Sequence, residues 1–119
     1  VKESIVKDKS FEFALAVIEL YKQMKVQNEF VLSKQLLRSG TSIGANIEEA
    51  LAGQSHRDFT AKMSIASKEA RESLYWIRLI DKSEIVKIIG LNELKEKNTE
   101  LIRMLTAIVK TAQTKPTKN

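Results

Sequence analysis

Apolar residues recur at every third or fourth position along four stretches of this chain, and no stretch alternates apolar with polar as a strand would. The spacing predicts helices over residues 4–24 and 29–52, a third from a cap at Ser55 to a short turn at residues 84–89, and a fourth capped by Asn92. In the first, Ala14, Val17, Ile18 and Tyr21 share a stripe that Phe13, Ala16 and Leu20 widen, making a face too broad for one partner helix to cover. Leu36, Ile43, Ile47 and Ala50 stand at core spacing in the second. The third carries the clearest heptad, Phe59, Met63, Ala66, Ala70, Ser73, Ile77 and Ile80, and the fourth continues the seam with Leu94, Leu101, Leu105, Ile108 and Ala112.

Punctuation supports this division. The single proline is Pro116, so nothing before it carries the residue that most reliably breaks a helix. Gly53 and Gly90 fall just beyond apolar segments, where a left-handed cap is expected, and Ser55 with Asp58 three residues later forms a capping box. Short linkers make consecutive helices antiparallel. The expected fold is therefore all-α, an antiparallel up-down-up-down four-helix bundle over residues 1–113 with a flexible basic tail over 114–119.

A length of 119 residues, 43% hydrophobic and 29% charged, suits one soluble domain with one core. The chain has no cysteine, which removes disulfides, thiol redox chemistry and thiolate metal sites. Lys2, Glu3, Lys7 and Asp8 occupy the place of a signal peptide, and no apolar run approaches a membrane span, so the expected location is the cytoplasm. The net charge of +5 is unevenly placed: residues 1–100 hold 16 basic and 15 acidic side chains, while 101–119 hold Arg103, Lys110, Lys115 and Lys118 and no acid.

One segment departs from good helix-forming composition. Residues 38–45 read Arg-Ser-Gly-Thr-Ser-Ile-Gly-Ala, and each interior glycine costs ~1 kcal/mol against alanine. Gly40 and Gly44 lie four apart and share one side, as close packing against helix one or three would require. A phosphate-cradling loop would need a Gly-Lys-Ser/Thr ending and a preceding strand, and both are missing. Asn46, Glu49, Lys62 and Glu69 read as a polar network fixing helix register. Glu49 with Glu69 could also be weighed as an acid–base or metal pair, but the lone histidine, His56, has no Glu three residues before it and reads as a solvated side chain beside a cap. No catalytic residue, metal or cofactor is expected.

Three stretches together carry a family likeness: Arg38-Ser-Gly-Thr-Ser-Ile-Gly-Ala-Asn-Ile-Glu-Glu-Ala50, then Ser55-x-x-Asp-Phe-x-x-Lys62, then Ile65-Ala-Ser-Lys-Glu-Ala-Arg-Glu-Ser-Leu-Tyr-Trp76. The chain resembles, over about residues 11–80, the bacterial four-helix bundle family named for the 23S rRNA intervening sequence, some of whose genes lie inside insertions in large-subunit ribosomal RNA genes. The family often has proline where this chain has Gly44, which would kink what glycine only loosens. The resemblance implies a homopentameric ring with no enzymatic activity. It also implies kinship with the accessory protein of diversity-generating retroelements, which binds reverse transcriptase and nucleic acid.

A ring would multiply one basic patch into a belt of phosphate contacts. Lys22, Lys25, Lys34 and Arg38, against only Glu29, and the C-terminal Arg103, Lys110, Lys115 and Lys118 are the candidate contacts. Aromatic residues that stack on bases are scarce, so backbone or shape recognition is expected, with Trp76 as an anchor in a helix or subunit interface. The expected function is a non-catalytic homo-oligomer that binds nucleic acid, such as ribosomal RNA or a ribonucleoprotein partner. The alternative is a protein-interaction scaffold with no nucleic-acid binding; neither involves a membrane or a small-molecule substrate.

Overall fold

In the computed structural model, which describes residues 1–114, four helices account for most of the described residues: α1 (Lys2–Val26), α2 (Leu32–Leu51), α3 (His56–Ser83) and α4 (Leu91–Thr114). Each packs on its two neighbours around the bundle, α1 on α2, α2 on α3, α3 on α4 and α4 back on α1, leaving the diagonal pairs apart. Cross-helix partners count up on one helix as they count down on the next. Gly40 meets Val17 while Gly44 meets Ser10, and Arg38 pairs with Glu69 while Glu49 pairs with Lys62. His56 reaches Ala112 while Asn98 reaches Ala70. The arrangement is the antiparallel up-down-up-down bundle, about 53 Å long and 21 Å by 20 Å across.

The seams of α2 and α4 are buried as the periodicity predicts, and so is that of α3 except for Phe59, which is half-buried. In α1 the buried line is Val6, Ser10, Phe13, Val17, Leu20 and Met24, so the inward face is turned away from Ala14, Ile18 and Tyr21, which are only half-buried. The cause lies in composition. α1 is apolar on nearly every side, so several stripes compete, and the close approach of Gly40 to Val17 selects one. Phe11 and Leu15 are left outward, 62% and 51% exposed.

Helix ends also depart from the expected pattern. Ser55 does cap α3, its Oγ accepting the Asp58 N–H at 3.0 Å. Asn92, however, sits inside the first turn of α4, because the Gly90 carbonyl already accepts the Leu94 N–H. Gly90 is left-handed (φ +85°) but lies at the start of α4; the left-handed cap that ends α3 is Glu84 (φ 52°). Gly53 is not left-handed; α2 ends with the Ala52 N–H bonded to the Glu48 carbonyl and the Gly53 N–H to the Ala50 carbonyl, and Ala52 keeps ordinary right-handed dihedrals. α4 runs through Thr114, and residues 115–119 of the expected tail lie outside the described residues.

The cap of α2 is one that spacing alone does not announce. Glu29, three residues ahead of the helix and only 8% exposed, accepts the N–H groups of Val31 and Leu32 on one carboxylate oxygen and of Ser33 on the other at 2.8 Å. Ser33 returns its hydroxyl to the Glu29 carbonyl. Burial alone would push this carboxyl up, but the N–H groups of Ser33, Leu32 and Val31 outweigh it and hold the group below its usual value.

The α3–α4 connector is tied down by Gln23 of α1 and by Gln27, the residue that caps its C-terminal end. The Gln27 side-chain amide accepts from the Lys87 N–H (2.9 Å) and donates to its carbonyl (2.7 Å), and Gln23 does the same with Ile89 (3.0 and 3.2 Å). One turn of helix thereby meets alternate residues of the connector, each side chain acting as a strand neighbour would.

Candidate nucleic-acid interface

The surface chemistry of the bundle divides along α3. On the side facing α2, Arg38 reaches across to two carboxylates, Glu69 at 3.3 Å and Glu72 in a tighter contact, and Trp76 Nε1 donates to the same Glu72 at 2.9 Å. The hydrogen bond that Arg38 donates to Glu72 raises the arginine pKa further against a smaller opposing effect of desolvation, with Glu69 adding to the rise. Reciprocally, the bonds from Arg38 and then Trp76 hold Glu72 below its usual value. Lys62 and Glu49 form a second bridge at 2.8 Å, whose hydrogen bond raises the lysine. Arg38, a candidate phosphate contact from the sequence, is thus committed to acids on its own chain.

The four residues expected to form one polar network fall into three separate contacts. Glu49 and Lys62 pair with each other and Glu69 with Arg38, while Asn46 donates to the carbonyl and hydroxyl of Ser42 one turn earlier on its own helix. The physical reason is axial distance: Glu49 lies three turns from Arg38 along α2, ~16 Å, too far for one network. Gly40 and Gly44 do make the close contact expected of them, and with α1. A methyl group on Gly40 would stand 2.9 Å from a Val17 methyl, and one on Gly44 would stand 3.2 Å from Ser10 Oγ. His56 is not solvated: half-buried, its Nε2 lies 2.7 Å from the Ala112 carbonyl, tying α3's start to α4's last turn.

Of the remaining candidate contacts, Lys22 bridges to Glu19 within α1, and Lys25 lies over the Tyr21 ring at 5.4 Å. Lys34 is exposed at the start of α2. Lys115 and Lys118 lie outside the described residues. Trp76 is half-buried on α3, with its ring edge-on to Tyr75 at 5.1 Å. Arg103 and Lys110 are exposed, seven residues apart on α4, hence two turns along one outward stripe.

Beside that stripe lies a residue that spacing did not single out. Arg71 on the opposite flank of α3 donates from Nη2 to Thr106 Oγ1 at 2.9 Å, and Thr106 stands between Arg103 and Lys110. Among the described residues no carboxylate pairs with Arg71, Arg78, Arg103 or Lys110. The sequence signal that could have found Arg71 is its position in the heptad: it falls beside the seam on the flank away from Glu69 and Glu72.

No group of three or more acidic or histidine side chains among the described residues is placed to hold a metal, and no helix there is long and apolar enough to cross a membrane. The model of the family described as 23S rRNA-intervening sequence protein matches residues 2–107. A crystal structure of a protein with unknown function from the S23 ribosomal protein family of Bacteroides thetaiotaomicron is similar at 47% identity and a TM-score of 0.86, covering 92% of this chain and 99% of that one. No curated protein matches the chain.

Proposed function

Because the chain belongs to the family of 23S rRNA-intervening sequence proteins, we propose that it is a non-catalytic oligomer, a homopentamer, that binds nucleic acid such as ribosomal RNA or a ribonucleoprotein partner. The observation that carries this reading is the sorting of charge about α3: Glu69 and Glu72 turn to α2 and are engaged by Arg38, while Arg71, Arg103 and Lys110 have no carboxylate partner among the described residues on the other side. An unpaired row of cations attracts a polyanion, and the bound form releases counterions. Glu49 and Glu69, the carboxylates with the chemistry of an acid–base pair, are each engaged by a cation, which favours a structural role for them.

Self-association is supported by apolar side chains that a lone bundle leaves in water. Phe11 and Leu15 lie on the outward side of α1, with Ile18 continuing their stripe one turn on. A patch of this kind favours burial against another chain. Light scattering coupled to size exclusion should return about five times the chain mass, as five copies in a closed ring require. A clean monomer would remove both the ring and the multiplied basic surface.

Binding is tested with a structured RNA at low and moderate salt. Retention at 50 mM salt that weakens by roughly a thousandfold by 200 mM is expected if a ring makes six or more phosphate contacts. No retention at the lower salt would leave the protein-interaction scaffold as the better account.

A further inference from the structure

The contact between Arg71 and Thr106 differs in kind from that between Arg38 and its acids. Arg38 has its charge met by two carboxylates, whereas Arg71 is held by a neutral hydroxyl, so its side chain is positioned while its charge stays unmet. A guanidinium has five N–H donors, and the bond to Thr106 uses one of them. Holding the side chain in advance removes part of the entropy cost of gripping a ligand. Arg103 precedes Thr106 by three residues and Lys110 follows it by four, so both flank the seated guanidinium on the surface of α4; Lys68, three residues before Arg71, flanks it on α3. All four cations are exposed, and from residue 101 to 114 α4 contributes no acid to oppose them.

Resting on the nucleic-acid reading above, we infer that Lys68, Arg71, Arg103 and Lys110 form a site for the sugar–phosphate backbone of a nucleic-acid duplex, laid along the α3–α4 face, with Thr106 as the positioning residue for Arg71. Two features select a duplex over a single strand. The cations sit on two packed helices, and Arg103 and Lys110 stand two turns, ~10 Å, apart on a rigid rod that suits an equally stiff backbone. Single-strand grooves depend on aromatic platforms for successive bases. Among the described residues the exposed aromatic side chain of α3 and α4 is Tyr75, four residues beyond Arg71, and the edge-on packing of its ring with Trp76 limits it as a platform. Arg38, Lys22 and Lys25 have no part in the site, because a carboxylate or an aromatic ring on the same chain already engages each of them.

The test compares an RNA hairpin, a DNA duplex and an unstructured uridine strand of equal length as probes for the full chain. The triple variant Arg71→Ala, Arg103→Ala, Lys110→Ala is set beside Lys2→Ala, Lys7→Ala, Lys9→Ala, which removes the same charge from α1. The first should weaken duplex binding by at least about tenfold and flatten the salt slope by about 0.9 for each phosphate no longer neutralised, while the second leaves the slope near that of the parent. Thr106→Val should weaken binding by about two- to threefold, and Thr106→Ser, which keeps the acceptor, should restore it. The two duplex probes tell RNA from DNA as the source of the backbone, and binding of either that the first triple variant weakens and the second does not supports the site. If the parent binds duplex but the two triple variants behave alike, the site is wrong and the broader function stands. If the uridine strand binds as tightly as the duplexes, the duplex assignment falls. If the parent binds none of the three, the proposed function falls with it.

Discussion

Replacing Gly40 with leucine should lower the unfolding free energy by about 3 kcal/mol, the upper part of the range for overpacking a core. Even a single methyl at this position would stand 2.9 Å from Cγ2 and 3.1 Å from Cγ1 of Val17. Val17 is fully buried and β-branched, so it is held to one strongly preferred rotamer and retreats only at a cost. Gly40→Ala should cost less, about 1 kcal/mol, because the gain in helix propensity of ~1 kcal/mol offsets part of the clash. Combining Gly40→Ala with Val17→Ala should be milder than the sum of the two, since the second substitution vacates the space that the first needs. Chemical denaturation measures each of these proteins; a Gly40→Leu variant as stable as the parent would mean that α1 and α2 do not approach this closely.

Loss of the Glu29 carboxylate ranks second. Glu29→Ala strips three backbone N–H groups of their acceptor, one of them on the buried Ser33, and should cost about 2 kcal/mol. The pH dependence follows from the direction of the shift. The folded carboxyl titrates below its unfolded value of about 4.3, so its contribution is complete above that pH and is lost as the pH falls through the lower folded value. Glu72, held down by Arg38 and Trp76, is lost in the same direction. Denaturation between about pH 3 and pH 6 should therefore show the parent losing stability faster on acidification than Glu29→Gln, which has no such proton to bind. Parallel curves for the two proteins would mean that the carboxylate is not the cap.

The helices were legible because their apolar spacing is one-sided where it matters. In α2 and α4 a single stripe is apolar, which leaves one way to turn the helix, and Leu36, Ile43, Ile47, Leu101 and Leu105 all lie in the core. α1 offers several stripes, so its inward face is decided by a tertiary event, the seating of Val17 against Gly40, which no local pattern encodes. The packing role of Gly40 and Gly44 could be read because only a missing side chain explains two glycines four apart inside a helix. Caps were less legible. A glutamate ahead of a helix resembles any surface acid until the chain folds back over it, and along the sequence Glu29 is merely one negative charge among lysines.

Charge was legible as a sum but not as an arrangement. Composition placed the surplus toward the C-terminus, and Arg103 and Lys110 are indeed exposed there without partners among the described residues. Arg38 and Arg71 look equivalent in one dimension, yet one faces two carboxylates and the other a threonine. The difference arises from which flank of a helix meets which neighbour. That depends on the order of helices around the bundle as well as on the turn of each one.

The glutamine clamp has a consequence for how this end of the molecule can vary. Gln23 and Gln27 hold the connector through main-chain atoms of Lys87 and Ile89, and those atoms are common to every residue except proline, which lacks the donor. The side chains at these two positions therefore carry no duty in holding the path of the connector. Ile89, 87% exposed, and Lys87 are free to be exchanged for almost anything while the loop keeps its course. Helix one acts here as a mould, and the connector as a surface on which new specificity can be written without recasting the bundle beneath it.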